Sequence, residues 1–87
     1  MKIALTGATG FIGGYMAKGL LAAGHDIRML CRPGREQALP VPPGKRADGR
    51  LVEAHPGDLK ERTSLTGFLK DVDLLLHLAS AHDHIPD

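Results

Sequence analysis

The sequence predicts an α/β fold: a parallel sheet of about four strands, in the order 3-2-1-4, with flanking helices. Three observations carry that prediction. Short apolar runs alternate with helical spacing to give strand, helix, strand, loop, strand, helix, strand. The first run, Ile3-Ala4-Leu5, has no polar face, as suits a strand covered on both sides in a parallel sheet. That run passes directly into a glycine turn and a helix, all within residues 2–14.

Gly7, Gly10 and Gly13 recur at spacings of three in the turn. The first glycine permits a sharp turn, the second lets a ligand approach bare backbone, and the third lets helix and sheet pack closely. A helix starting there aims unpaired N–H groups and the positive end of its dipole over the turn, where a cofactor pyrophosphate is the commonest occupant. The glycines alone are a weak signal. The strand before them, the amphipathic helix after them and a second strand at the expected distance turn the reading towards a dinucleotide. A nucleoside-triphosphate loop would need Gly-Lys-Ser/Thr, and Lys18 is followed by Gly19.

Along the first helix Ile12, Tyr15, Met16, Gly19, Leu20 and Ala23 recur at three and four, which predicts one packed face, and Gly24 supplies the stop. The second strand is Asp26 to Cys31, with Arg28 expected near a strand edge or end. Its end bears on cofactor choice. Where NAD is used, an acid just past this strand binds the ribose 2′-hydroxyl; where NADP is used, arginine meets the 2′-phosphate. Cys31 stands at the acid's place and Arg32 and Arg35 follow, so NADP is the expected cofactor and NAD the less favoured one. The bland alternative makes both arginines solvated loop charges.

Residues 33–50 are rich in proline and glycine and read as a surface loop, with one helical turn available over Glu36 to Leu39. Leu51 to His55 is the third strand, ended by Pro56 and Gly57. Asp58 then either caps the next helix or serves the cofactor. The second helix carries Leu65, Phe68, Leu69 and Val72 at helical spacing, and Asp73 to Leu78 forms a strongly apolar fourth strand.

Thr6-Gly7-Ala8-Thr9-Gly10-Phe11-Ile12-Gly13 resembles the cofactor turn of the short-chain dehydrogenase/reductase superfamily. Phe11-Ile12 is similar to its extended branch, the sugar-nucleotide epimerase/dehydratase and dihydroflavonol-reductase-like proteins. Gly57-Asp58-Leu59 resembles the family's adenine-contacting segment, and His77-Leu78-Ala79-Ser80 the end of its fourth strand. The resemblance implies a partial Rossmann fold over residues 1–87, an incomplete NAD(P)-binding domain with no substrate domain. It implies cofactor contacts from Gly7, Thr9, Gly10, Phe11, Ile12, Gly13, Arg32, Arg35, Asp58, Leu59, Leu78, Ala79 and Ser80, with Asp58 accepting from the adenine amino group. It implies no catalytic residue here. The family's pair is Tyr-x-x-x-Lys, further along the chain, and Tyr15-x-x-Lys18 has the wrong spacing. Tyr15 is expected to pack and Lys18 to be solvated. The chain departs from the family between the second and third strands, where a longer helix is usual.

A net charge of +1 over 87 residues, with acids and bases mixed, gives no basic excess for nucleic-acid binding. No apolar run is long enough to span a bilayer and no leader pattern opens the chain, so the expectation is a cytoplasmic, soluble domain of small stability margin. Cys31 is the single cysteine, which excludes an internal disulfide, and its expected role is packing. His77, His82 and His84 with Asp83 and Asp87 match no ligand spacing, and no metal is expected.

Three readings follow. The first is the NAD(P)-binding amino-terminal portion of an epimerase, dehydratase or reductase acting on a sugar nucleotide or other small carbonyl or hydroxyl substrate. The second is a non-catalytic dinucleotide-binding or regulatory module. The third is a small interaction domain that pairs, or self-associates, through the exposed edge of its fourth strand. A downstream Tyr-x-x-x-Lys would single out the first.

Overall fold

In the computed structural model, which describes residues 1–78, the chain runs β1 (Lys2–Thr6), α1 (Phe11–Ala22), β2 (Asp26–Cys31), a 3₁₀ turn (Glu36–Ala38), β3 (Gly44–Lys45), β4 (Leu51–Pro56), α2 (Arg62–Phe68) and β5 (Leu74–His77). The strands form one sheet in the order β3-β4-β2-β1-β5. β4, β2, β1 and β5 are parallel, and are the four strands expected, in the expected order. The sheet nonetheless has five strands and is mixed. Gly44 and Lys45 pair antiparallel with Val52 and Leu51, a short edge that the proline-rich loop concealed at the level of sequence.

Register decides which face each residue serves. Leu5, Ile27, Met29 and Val52 lie under α1 and pack with its Ala17 and Leu21, while Ala4 and Leu30 lie on the other face with Phe68 of α2. The first strand is buried on both faces, as its unbroken apolar run requires. Leu39 and Val41 pack against the α1-side cluster. The loop between β2 and β4 thus covers sheet that a longer helix would cover, with one 3₁₀ turn in place of that helix.

The helix faces differ from expectation. α1 buries Gly13, Ala17 and Leu21, with Met16 and Leu20 half-buried, whereas Phe11, Ile12 and Tyr15 are 92%, 63% and 79% exposed. Small residues hold the line that faces the sheet because the helix lies close on it, and the bulkier side chains fall outside. Tyr15 is therefore not a packing residue, and Lys18 is exposed as expected. In α2 the buried anchor is Phe68, while Leu69 follows the helix and lies outside the core. Gly24, with φ of 99°, ends α1 as expected; the N–H groups of Gly24 and His25 return to the carbonyls of Leu21 and Leu20.

Arg28 corrects the sequence reading most plainly. It is neither at an edge nor at an end but in the middle of β2, 9% exposed. Its Nε donates to Glu53 Oε1 at 3.1 Å, and its Nη1 donates to the carbonyls of Gly67, Phe68 and Lys70 at 3.1, 2.9 and 2.8 Å. These carbonyls close α2 and the turn after it, so a buried cation holds a helix C-terminus onto the sheet. His55 completes the attachment: its Nε2 donates to Ser64 O at 2.9 Å and its ring lies 5.7 Å from that of Phe68.

Among the described residues, no helix is long and apolar enough to cross a membrane.

Candidate functional site

The carboxyl ends of β1, β2 and β4 open onto one cleft of about 420 Å³. Parallel strands place all their following turns at the same end of the sheet, which is why segments distant in sequence meet there.

The turn after β1 forms the floor. Gly7 adopts φ of 79°, a left-handed conformation that a side chain resists, and its carbonyl accepts from Gly10 N–H at 3.1 Å. Gly10 is the N-cap of α1 and no side chain caps the helix; its first turn contains no acid. The helix N-terminus therefore has neither a side-chain cap nor a carboxylate of its own first turn against its dipole. Gly13 fixes how close the helix can lie: a Cβ there would sit 1.9 Å from Gly7 O. Thr6, Gly7, Thr9 and Gly10 line the cleft from this side. The residues therefore fit a pyrophosphate-bearing cofactor, through a bare turn and an uncapped helix start.

The wall from β2 is Leu30, Cys31, Arg32 and Arg35. Cys31 occupies the acid's place as a buried thiol, 3% exposed, with Sγ–H donating to Arg32 O at 3.3 Å. Burial pushes this thiol above its ordinary value of 9.0; the Glu36 carboxylate adds to the rise and the Arg35 guanidinium opposes it. The two arginines project at the rim and are exposed.

Gly57, Asp58, Leu59 and Lys60, after β4, make the third side. Asp58 does not cap α2, whose N-cap is Glu61. Instead its Oδ1 accepts Lys60 N–H at 3.0 Å, its own N–H donates to Ser64 Oγ at 3.1 Å, and its Oδ2 lies 3.9 Å from Arg32 Nε. Gly57 N–H donates to Cys31 O at 2.9 Å, which ties the second and third sides together.

Of the residues expected at a cofactor, Gly7, Thr9, Gly10, Arg32, Arg35, Asp58 and Leu59 are brought into this one cleft. Gly13 acts beneath it through packing, and Phe11 and Ile12 start α1 with side chains turned to solvent. Leu78 is half-buried against the α1-side core and donates its N–H to Thr6 Oγ1 at 3.0 Å, outside the cleft lining. Thr6 Oγ1 is also 2.8 Å from His77 Nδ1, so His77 serves the β1–β5 junction. Ala79 and Ser80, like His82 and His84, lie outside the described residues. Gly57 joins Asp58 and Leu59 in the lining, as the resemblance of that segment implies, whereas Leu30 and Lys60 were not expected there. Lys60 was findable, since it directly follows the Asp58-Leu59 pair; Leu30 reads only as a core strand residue.

Similarity to known proteins agrees with this geometry. The chain is 35% identical over 80 residues to sterol demethylase protein B of Methylococcus capsulatus, covering 92% of this chain and 22% of that protein. It is 30% identical over 80 residues to UDP-glucose 4-epimerase of Neisseria meningitidis serogroup B, covering 90% of this chain and 24% of that one. Vestitone reductase from alfalfa (Medicago sativa) superposes with a TM-score of 0.72 at 26% identity over 94% of this chain and 26% of its own. A UDP-galactose 4-epimerase superposes at 0.64 with 25% identity, over 90% of this chain and 23% of its own. The chain thus spans about a quarter of the length of these relatives. With residues 3–87 matching that family's pattern, the chain belongs to the NAD dependent epimerase/dehydratase family.

Proposed function

We propose that this chain supplies the adenosine and pyrophosphate side of an NADP(H) site, as the amino-terminal portion of an epimerase, dehydratase or reductase acting on a sugar nucleotide or other small carbonyl or hydroxyl substrate. The observation that carries the proposal is the cleft itself, where an uncapped helix start, a bare glycine turn and an acid-free β2 end meet over three parallel strand ends. The family uses a nicotinamide dinucleotide, whose chemistry when bound is hydride transfer. Backbone N–H groups of the Gly7–Gly13 turn hold the pyrophosphate. Arg32 and Arg35 meet the adenosine 2′ substituent, and a carboxylate absent from position 31 leaves a phosphate there unopposed from that side. Asp58 and Leu59 bound the adenine side.

The chain's own role is to bind and orient: Tyr15 and Lys18 are exposed, and among the described residues neither lines the cleft as an acid or base. A cytoplasmic setting belongs to the same proposal, because a single buried thiol needs no oxidising compartment. Calorimetric titration of the chain with NADPH and NADH tests it. Tighter binding of NADPH is expected; equal affinity or a preference for NADH would remove the charge argument, and no binding of either would remove the cofactor site.

A further inference from the structure

Three cations and one acid line the cleft, and the cations are not equivalent. Arg32 faces Asp58, and Asp58 is not free to turn away, because both its backbone and its Oδ1 are held by Ser64 and Lys60 N–H. An anion approaching Arg32 therefore meets a fixed carboxylate as well, and the net attraction of that pair is small. Arg35 and Lys60 differ. They line the same cleft from the β2 side and the β4 side, and among the described residues neither side chain has a hydrogen-bond or ion-pair partner. The turn that binds Lys60 N–H to Asp58 Oδ1 fixes where its four-carbon stem begins.

We propose that Arg35 and Lys60 form a two-sided clamp on the 2′-phosphate, which makes Lys60 a specificity-determining residue, with Arg32 the lesser contributor because Asp58 offsets its charge. A phosphate monoester carries nearly two negative charges at neutral pH, so two cations from opposite walls match it better than one cation paired to an acid. The inference rests on the NADP reading above.

Adenosine 2′,5′-bisphosphate and 5′-AMP, which differ only by the 2′-phosphate, are the probes, titrated calorimetrically into the full chain at low ionic strength. The unaltered chain should bind the bisphosphate more tightly. Lys60→Gln and Arg35→Gln should each weaken the bisphosphate about fivefold and leave 5′-AMP within about twofold, while Arg32→Gln has a smaller effect and Lys60→Arg retains the preference. If the unaltered chain does not prefer the bisphosphate, the NADP reading falls and the clamp with it. If it does prefer it and Lys60→Gln keeps the preference or weakens both probes equally, the clamp alone is overturned. Lys60 is exposed, so its variants should unfold at the temperature of the parent.

Discussion

At the scale of single residues, burial separates charges that look alike in sequence. Arg28 and Arg32 lie four positions apart on and just beyond one strand. Arg28 is enclosed by Glu53 and three carbonyls, so removing it takes the donor from buried acceptors and leaves the Glu53 carboxylate only its ion pair with Lys2. Arg28→Met should cost about 2–4 kcal/mol and lower the thermal midpoint by roughly 10 °C or more, read by circular dichroism. Arg32 is a rim charge, and its substitution should leave the midpoint unchanged. Freeing it should instead change binding: Asp58→Asn removes the opposing carboxylate and should raise the preference for adenosine 2′,5′-bisphosphate over 5′-AMP about two- to threefold, a ratio that cancels any change at the adenine, measured calorimetrically. Cys31 gives a pH signature. Its folded value is raised, so the unfolded chain loses the thiol proton first as pH climbs, and this contribution to stability is intact below the ordinary thiol value and lost as pH rises through the folded one. Alkylation by iodoacetamide at mildly alkaline pH should accordingly be slow in the native chain and fast in urea.

At the scale of elements, two glycines in the same helix separate a packing requirement from a tolerance. A Cβ at Gly13 would meet the Gly7 carbonyl at 1.9 Å, while one at Gly19 would meet nothing within 4 Å. Gly13→Ala must push α1 off the Gly7–Ala8 turn, and should cost about 3 kcal/mol and abolish dinucleotide binding. Gly19→Ala should stabilise the chain by about 0.5–1 kcal/mol, since it removes conformational freedom from the unfolded chain at no steric cost. Denaturant titration of the pair decides both. If the two variants behave alike, the close approach of helix to strand is not what fixes the turn.

At the scale of the whole molecule, the two sheet edges differ. β3 is two residues long and carries Lys45, a protected edge. β5 pairs with β1 on one side, has no second partner among the described residues, and presents Leu74 and Leu75 at 45% and 43% exposure. An apolar, uncharged edge recruits another strand. Sedimentation across a concentration series should show self-association of the chain; a monomer throughout, with one cooperative thermal transition, would mean that the edge is covered. The same chain should show no epimerase, dehydratase or reductase turnover, because Tyr15-x-x-Lys18 is one residue short of the family's Tyr-x-x-x-Lys and neither residue lines the cleft. Steady turnover abolished by Tyr15→Phe would refute that.

The four parallel strands, the glycine turn and the acid-free end of β2 were legible in the sequence because each is written in local chemistry, and the strand order followed from the rules that govern strand–helix–strand crossovers. An unbroken apolar run, a glycine spacing and a missing carboxylate can be read without knowing what lies opposite. What could not be read was whatever depends on a partner brought near by folding. The face of α1 was misjudged in part because spacing locates an apolar stripe, yet only the distance from helix to sheet decides that Gly13, Ala17 and Leu21 go inside while Ile12 and Tyr15 stay out. Arg28 looked like an edge residue because its compensation comes from carbonyls about forty positions away. Lys60 gained its place in the cleft only when the ends of β2 and β4 were set side by side. Local sequence therefore determined the fold and the identity of the turn, and tertiary structure decided which charges are spent on holding the molecule together and which line the cleft, since burial and pairing exist only between segments that folding brings into contact.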